Sequence, residues 1–284
     1  MTEVMPALNA KAVLGECPIW SSSRGRLLWV DTLGPTLNLF DPATGDNISW
    51  PMPGPVGFVA EDATGNLIAG IGCDVVAVDA EGSARRFATA PHARPGVRLN
   101  DARFDRRGRL WLGLMDEQLT AGSGYLYRLD PDGVWHECDS GFTLINGLDW
   151  SPDGQTFYLT DSRRGEIYAY DFDEDEGALR SRRVFFQMDI STGKPDGLLV
   201  DPHGFILSVL FDGAAILRLT PDGRLDRRFD LPVPRPTSCA LSPMGDRLYV
   251  TTARLGLSNE DLARVPLSGA LLSLRYPDEG KGDG

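Results

Sequence analysis

Short β-prone runs that follow a glycine recur six times along the chain. The first is GRLLWVD, which begins at Gly25, and each later run has a similar apolar pattern. The six glycines are Gly25, Gly65, Gly108, Gly154, Gly204 and Gly245, separated by 40, 43, 46, 50 and 41 residues. Apolar runs bounded by glycine, proline and aspartate are typical of β-hairpins. Each run therefore predicts a strand that leaves a tight turn.

A second turn follows later in five of the six repeats. These turns are Asp41–Gly45, Asp79–Gly82, Asp130–Gly133, Asp173–Gly177 and Thr220–Gly223. Strand-like segments such as VVAV and YLYRL come just before them. Each repeat of about 44 residues thus predicts four strands, two around each turn. Six such units predict an all-β protein, a six-bladed β-propeller with four-stranded blades.

The two ends of the chain indicate how the ring is closed. The sixth repeat supplies SGALLSL at Ser268–Leu274 and then runs into PDEGKGDG, so its fourth strand is missing. A β-capable segment remains near the N-terminus, around Leu8–Leu14. We expect residues 1–15 to supply the strand that closes the last blade, because closure removes exposed sheet edges. Residues 1–284 would then form a single propeller domain, with a disordered tail at 276–284.

Composition and charge narrow the possible partners. Lys and Arg number 28 and Asp and Glu number 40, a net charge of −12, which argues against a nucleic acid or an anionic membrane. The most apolar stretch, Phe205–Phe211, is far shorter than the ~20 residues of a transmembrane helix, and the N-terminus has no signal-peptide pattern. The cysteines are widely spaced, which favours reduced thiols in a cytoplasmic protein. They are Cys17, Cys73, Cys138 and Cys239.

Polar residues share one register on the strands expected to line the central channel. Counting back eight residues from each turn glycine reaches Cys17, Gly57, Asn100, Asn146, Asp196 and Thr237. The first turn, SSSRG, looks one residue longer than the others, which makes Glu16 the counterpart in the first blade. Oxygen-bearing side chains on four strands are the donors that a hard divalent cation needs. An Asn-Gly or Asp-Gly pair taken singly is instead typical of a turn.

Three other features of the sequence bear on catalysis or substrate binding: the histidines, Arg98 and the loop after the third blade's second strand. The three histidines, His92, His136 and His203, fall outside it, which argues against a Ser-His-Asp triad or a histidine base. Arg98 lies two residues before Asn100, so strand alternation brings both to one side, where a guanidinium can donate to substrate oxygens. Pairing of Arg98 with Asp101 is the alternative. The loop Asp116–Gly124 is long enough to cover the channel mouth, with Gln118 pointing inward.

Several segments in their order and spacing carry a family likeness. They are LGECPIW (14–20), RLNDARFDRRGRLWLGLM (98–115), INGLDWSPDGQTFYLTD (145–161) and KPDGLLVDPHG (194–204), followed by PTSCALSP and LYVTTAR. Together they resemble the regucalcin and gluconolactonase family, also called the senescence marker protein family, of six-bladed propellers. The resemblance covers almost the whole chain. It implies one divalent metal on Glu16, Asn146 and Asp196, and substrate contacts from Arg98 and Asn100.

The resemblance also implies an activity, the opening of a sugar lactone to an aldonic acid. We expect the metal to polarise the lactone carbonyl and Asp196 to act as general base toward water. Lys194 is either a residue that tunes Asp196 or a solvated loop residue. Calcium is the first choice of metal, and Zn²⁺, Mn²⁺ or Fe²⁺ are alternatives because an oxygen set admits several cations. Cys17 and Ala102 depart from the family, which usually has glycine at both positions.

Two alternatives to a lactonase stay open at this point. A metal that polarises a carbonyl can also polarise a phosphoryl oxygen, so another metal-dependent esterase or a phosphotriesterase could use the same propeller. A propeller can also bind calcium without being an enzyme, because fold alone does not determine function.

Overall fold

Six four-stranded antiparallel sheets make up the protein. The structure is a computed structural model, and it describes residues 3–276. In every sheet the strands pair with their neighbours in the chain, except where the N-terminal strand joins the last sheet. The six turn glycines of the repeat all have left-handed backbone, with φ between 63° and 87°, a conformation that glycine adopts without steric cost. The predicted six-bladed β-propeller with four-stranded blades is confirmed.

Strand β1 (Val4–Leu8) belongs to the last blade, and the others follow in order. The first blade comprises β2 (Gly15–Ser21), β3 (Arg26–Asp31), β4 (Thr36–Phe40) and β5 (Asn47–Pro51), and the second comprises β6 (Val56–Glu61), β7 (Leu67–Ile71), β8 (Asp74–Val78) and β9 (Ala84–Thr89). The third comprises β10 (Val97–Phe104), β11 (Leu110–Asp116), β12 (Gly124–Leu129) and β13 (Trp135–Phe142). The fourth comprises β14 (Ile145–Trp150), β15 (Thr156–Asp161), β16 (Glu166–Asp173) and β17 (Ala178–Gln187).

The fifth blade comprises β18 (Lys194–Val200), β19 (Ile206–Phe211), β20 (Ala215–Leu219) and β21 (Leu225–Asp230), and the sixth comprises β22 (Pro236–Leu241), β23 (Arg247–Thr252), β24 (Leu271–Arg275) and β1. A 3-10 helix lies at Ile190–Thr192, and helix α1 spans Asn259–Arg264. Ser258 caps α1 by accepting a hydrogen bond from the Asp261 amide. No helix within residues 3–276 has the length and apolar character needed to cross a membrane.

The first strand of each blade contacts the first strand of the next, all the way around the ring. These contacts join β2 with β6, β6 with β10, β10 with β14, β14 with β18, β18 with β22, and β22 with β2. Apolar cores fill the space between blades. Trp111 of the third blade, for example, packs on Phe157 of the fourth with their ring centroids 5.4 Å apart. Such packing fixes the first strands, and with them the residues that face the channel.

The last blade joins the two ends of the chain. Strand β1 pairs antiparallel with β24, with Val4 opposite Leu274. This strand lies earlier in the chain than the segment Leu8–Leu14 that the pattern suggested. Residues after β1 also contact the sixth blade, since the Ala12 amide donates to the Gly269 carbonyl at 2.8 Å. The tail expected at 276–284 lies outside the described residues, apart from Tyr276.

Candidate functional site

The first strand of every blade has an irregular register at the same level of the channel. The shifts in pairing lie between Glu16 and Ile19, Val56 and Phe58, Leu99 and Ala102, Ile145 and Leu148, Pro195 and Leu198, and Pro236 and Ser238. A bulge leaves a residue unpaired and redirects its side chain, and bulges are common beside functional sites. The residues left unpaired include Asn100, Asn146 and Asp196, which are three of the polar residues that share the sequence register.

The two glycines that follow Asn146 and Asp196 allow neighbouring blades to approach closely. A Cβ atom on Gly147 would lie 1.9 Å from the Leu198 amide nitrogen, and one on Gly197 would lie 2.2 Å from Ser238 Oγ. Both glycines lie inside strands, β14 and β18. The Asn-Gly and Asp-Gly pairs are therefore sites of close strand packing and do not form turns.

Glu16 reaches the channel for a reason other than the length of the first turn. Ile19 precedes Gly25 by six residues, as Ala102 precedes Gly108, and both are the first paired residues after the bulge. By strand pairing, Cys17 is therefore the counterpart of Asn100. Cys17 has a left-handed backbone, with φ of 47°. The left-handed backbone at Cys17 goes together with a shift of one residue in this blade, so that Glu16, the residue before Cys17, lines the channel mouth.

A cavity of about 300 Å³ opens at the level of the bulges. It brings together six residues that the sequence singled out, which are Glu16, Arg98, Asn100, Asn146, Lys194 and Asp196. Gln118 is not among the lining residues: it is exposed, and its backbone amide donates to Asp116 Oδ1 at 2.8 Å. Its neighbours Glu117 and Leu119 line the cavity instead. Ser162 and Arg163 also line it, and sequence reasoning missed both.

A chain of side-chain hydrogen bonds crosses the cavity wall from the third blade to the fourth. Arg98 Nη1 donates to Asn100 Oδ1 at 2.5 Å, and Asn100 Nδ2 donates to Asn146 Oδ1 at 2.5 Å. Asn146 Nδ2 in turn donates to Ser162 Oγ at 2.7 Å. Asp101 accepts from the Cys17 thiol instead of pairing with Arg98. The chain fixes the orientation of both amides.

Asp196 and Glu16 are carboxylates whose charges are poorly compensated. Asp196 is only 5% exposed, and its Oδ1 has no hydrogen-bond partner among the described residues. Burial raises the pKa of Asp196 well above its ordinary value, Asp101 raises it further, and Arg98 and Lys194 oppose the shift. Burial also raises the pKa of Glu16, as do the Asp196 and Asp101 carboxylates, against Arg98. Two carboxylates that repel one another at a cavity wall attract a cation.

The donor set fits a hard divalent cation. Glu16, Asp196 and Asn146 offer only oxygen atoms, and an amide oxygen retains a second lone pair when it accepts one hydrogen bond. The unpartnered Asp196 Oδ1 is a buried acceptor of the kind that a bound cation satisfies. Within residues 3–276 no three Asp, Glu, His or Cys side chains form a metal-binding group, so any site here needs amide oxygens as well.

Two buried aspartates hold the segments that lead into the site. Asp31 accepts hydrogen bonds from the Val13 and Leu14 amides at 2.8 and 2.9 Å, just before Glu16. Asp161 does the same for the Thr143 and Leu144 amides at 2.9 and 3.2 Å, just before Asn146. Each aspartate ends the second strand of its blade. They therefore position the channel-facing residue of the first strand without contacting the cavity contents.

The chain is similar to known proteins over most of its length. The model of the SMP-30/gluconolactonase/LRE-like region matches residues 14–254. A 6-deoxy-6-sulfogluconolactonase of Pseudomonas putida is 34% identical over 93% of this chain and 91% of its own length. A pentonolactonase of Haloferax volcanii is 34% identical over 88% of this chain and 85% of its own length. The crystal structure of regucalcin from Agrobacterium tumefaciens, described as a calcium-binding protein, superposes with a TM-score of 0.91 at 25% identity, covering 96% of this chain and 93% of that one.

Proposed function

Because this chain belongs to the SMP-30/gluconolactonase/LRE-like family, we propose that it hydrolyses a sugar lactone to the aldonic acid with one divalent cation at the channel mouth. The relatives named as lactonases support the class of reaction. The observation that carries the metal dependence is the unpartnered, buried Asp196 Oδ1 beside a second carboxylate, Glu16, in a cavity of about 300 Å³. That volume is at the small end for ligand sites and suits a single sugar ring.

Glu16, Asn146 and Asp196 would hold the cation. When bound, a divalent cation polarises a carbonyl oxygen and lowers the pKa of nearby water. Calcium is our first choice because all three donors are hard oxygen atoms, and the regucalcin structure is described as that of a calcium-binding protein. Zn²⁺, Mn²⁺ and Fe²⁺ are the alternatives, since an oxygen set alone does not select one ion.

Asp196 is the proposed general base. A carboxylate has two oxygen atoms, so while one of them holds the cation, the other can take a proton from the attacking water, whose oxygen bonds to the lactone carbonyl carbon. The ring C–O bond then breaks, and the same carboxyl returns the proton to the departing ring oxygen. The product is the open-chain hydroxy acid. Lys194 lies close enough to lower the pKa of Asp196, although its own Nζ binds Asp212 Oδ2 at 2.6 Å.

Arg98 and Asn100 would orient the substrate. Both line the cavity, and Asn100 is bound on one side by Arg98 and on the other by Asn146. A held guanidinium and amide can fix the ring oxygen and hydroxyl groups relative to the base, which lowers the entropy lost on reaching the transition state. The proposal gives Gln118 no role. It includes a cytoplasmic location, which rests on the four unpaired, widely spaced cysteines.

The test is a panel of five- and six-carbon aldonolactones offered to metal-stripped protein. Each divalent cation is added back singly, and initial rates of acid release are measured. We expect turnover of a subset of lactones only when a cation is restored. Hydrolysis of an aryl phosphotriester in preference to every lactone would indicate that the protein is a phosphotriesterase. Cation binding without any turnover would indicate a cation-binding protein that is not an enzyme.

Asp196→Asn is the decisive variant in that panel. It keeps the shape of the side chain but removes the base, so we expect kcat to fall by ~10³-fold or more. Asp132→Asn is the matched control, because Asp132 is an exposed turn residue of the third blade whose side chain, within residues 3–276, accepts just one hydrogen bond, from the backbone amide of Val134. A folded Asp196→Asn variant with substantial activity would show that another group takes the proton.

A further inference from the structure

The cavity wall carries three cationic side chains, and two of them are compensated. They are Arg98, Lys194 and Arg163. Lys194 forms an ion pair with Asp212. Arg98 donates to the Leu99 carbonyl and to Asn100 Oδ1 and is stabilised by the charges of nearby carboxylates, namely Glu16, Glu117 and Asp196.

Arg163 differs from both. In the part of the chain that the structure describes, no carboxylate lies within ion-pair distance of the Arg163 guanidinium, and no acceptor takes a hydrogen bond from it. Its backbone is nevertheless held in place, because its amide donates to Asp161 Oδ1 at 3.3 Å and the preceding Ser162 amide donates to the Leu144 carbonyl at 3.0 Å. The Arg163 side chain is exposed to solvent at the rim of the cavity. The turn that follows β15 therefore holds a cation without a partner at the cavity.

The neighbouring arginine shows the contrast. Arg164 Nη2 donates to the Gly141 carbonyl at 2.9 Å, and its Nε lies 3.5 Å from Asp161 Oδ2. Arg164 is also absent from the cavity lining. Two adjacent arginines of the same turn thus differ in environment: the side chain of Arg164 is bound to the protein, and that of Arg163 lines the cavity with no partner among the described residues.

We propose that Arg163 recognises an acidic group on the substrate, so that the lactone is an anionic one with an oxyanion group away from its ring carbonyl. This inference rests on the proposed lactonase function. A guanidinium binds a carboxylate or another oxyanion through charge-assisted hydrogen bonds. The protein as a whole carries a net charge of −12 and repels anions at long range. An anionic substrate therefore requires a local cation, and Arg163 supplies it at the cavity.

The test uses two lactones that differ only at one carbon. D-Glucono-1,4-lactone ends in a hydroxymethyl group, and D-glucaro-1,4-lactone carries a carboxylate in its place. The ratio of kcat/KM for the anionic over the neutral lactone is measured for the wild type, Arg163→Gln and Arg164→Gln, each loaded with the most effective cation. We expect the wild type to prefer the anionic lactone, with a preference that declines as ionic strength rises.

Arg163→Gln should lower that ratio about tenfold, equivalent to about 1.4 kcal/mol, and Arg164→Gln should leave it unchanged. The inference is overturned if the wild type prefers the neutral lactone or if Arg163→Gln leaves the ratio as it was. Failure of the proposed function looks different, because then neither lactone is opened with any cation. In that case, calorimetric measurement of D-glucarate and D-gluconate binding tests the role of Arg163. The proposal predicts that D-glucarate binds more tightly than D-gluconate and that Arg163→Gln abolishes this difference.

Discussion

Replacing Gly147 by alanine tests whether close strand packing creates the site. The added Cβ would lie 1.9 Å from the Leu198 amide nitrogen and 2.5 Å from Leu198 Cβ, whereas ordinary contacts of a Cβ begin at 3.4 Å. One of the two first strands must therefore move by about 1.5 Å, the difference between 3.4 and 1.9 Å. Overpacking of this kind costs about 1–3 kcal/mol or more. At ~2–4 °C per kcal/mol, we expect the Tm to fall by roughly 2–12 °C.

The same movement of the strands should also cause a large loss of kcat/KM. Gly147 follows Asn146 directly, and Leu198 is two residues after Asp196, so the displaced strands carry two of the proposed metal ligands. A misplacement of ~1 Å can cost a factor of ~100 in rate, and we expect Gly147→Ala to lose about that much in kcat/KM on the preferred lactone. The assay is a thermal melt paired with initial rates on the same preparation.

Gly54→Ala is the matched control. A Cβ on Gly54 would contact only Ile71 Cγ2, at 3.7 Å, and Gly54 has no left-handed backbone. We expect it to melt and turn over like the wild type. If Gly147→Ala also behaves like the wild type, the strands can separate without harm, and the glycine after Asn146 has some purpose other than close approach.

Two further predictions concern the metal and Cys17. Adding a cation at about one hundred times its Kd should stabilise the metal-stripped protein by about 2.7 kcal/mol, which corresponds to a rise in Tm of roughly 5–10 °C. The Asp196→Asn variant should lose most of this rise. If no divalent cation raises the Tm of the wild type, the proposed metal site is contradicted. The free energy of unfolding in denaturant should be at least as large for Cys17→Gly as for Cys17→Ala, because a non-glycine residue at φ of 47° costs about 1 kcal/mol. A less stable Cys17→Gly variant would show that the backbone at this position is not strained.

The repeat made the fold predictable because hairpin chemistry is local. A turn glycine with left-handed backbone marks the same hairpin in all six blades, and such residues can be recognised without knowing what packs around them. The closing strand was harder to place. It contains Pro6, which normally argues against a strand, but β1 pairs only with β24. An outermost strand tolerates a residue that lacks an amide hydrogen, since one of its edges is unpaired.

The residues of the candidate site also differ in whether the repeat pattern predicts them. Asn100, Asn146 and Asp196 lie at equivalent bulges of the first strands, and a register count finds them because every blade repeats that geometry. Glu16 was found by the same count, but for the wrong reason, because the left-handed backbone at Cys17 is a feature of one blade only. A deviation of this kind depends on φ at a single residue, which residue spacing does not reveal.

Ser162 and Arg163 lie beyond the reach of a repeat argument. They belong to the turn between β15 and β16, which is held against the first strand where Asp161 binds the amides of Thr143 and Leu144. The repeated strands thus supply the proposed metal ligands, and the turns add side chains such as Arg163 that follow no register. If the proposals hold, the reaction depends on residues that the repeat specifies, and the choice of lactone depends on residues that it does not.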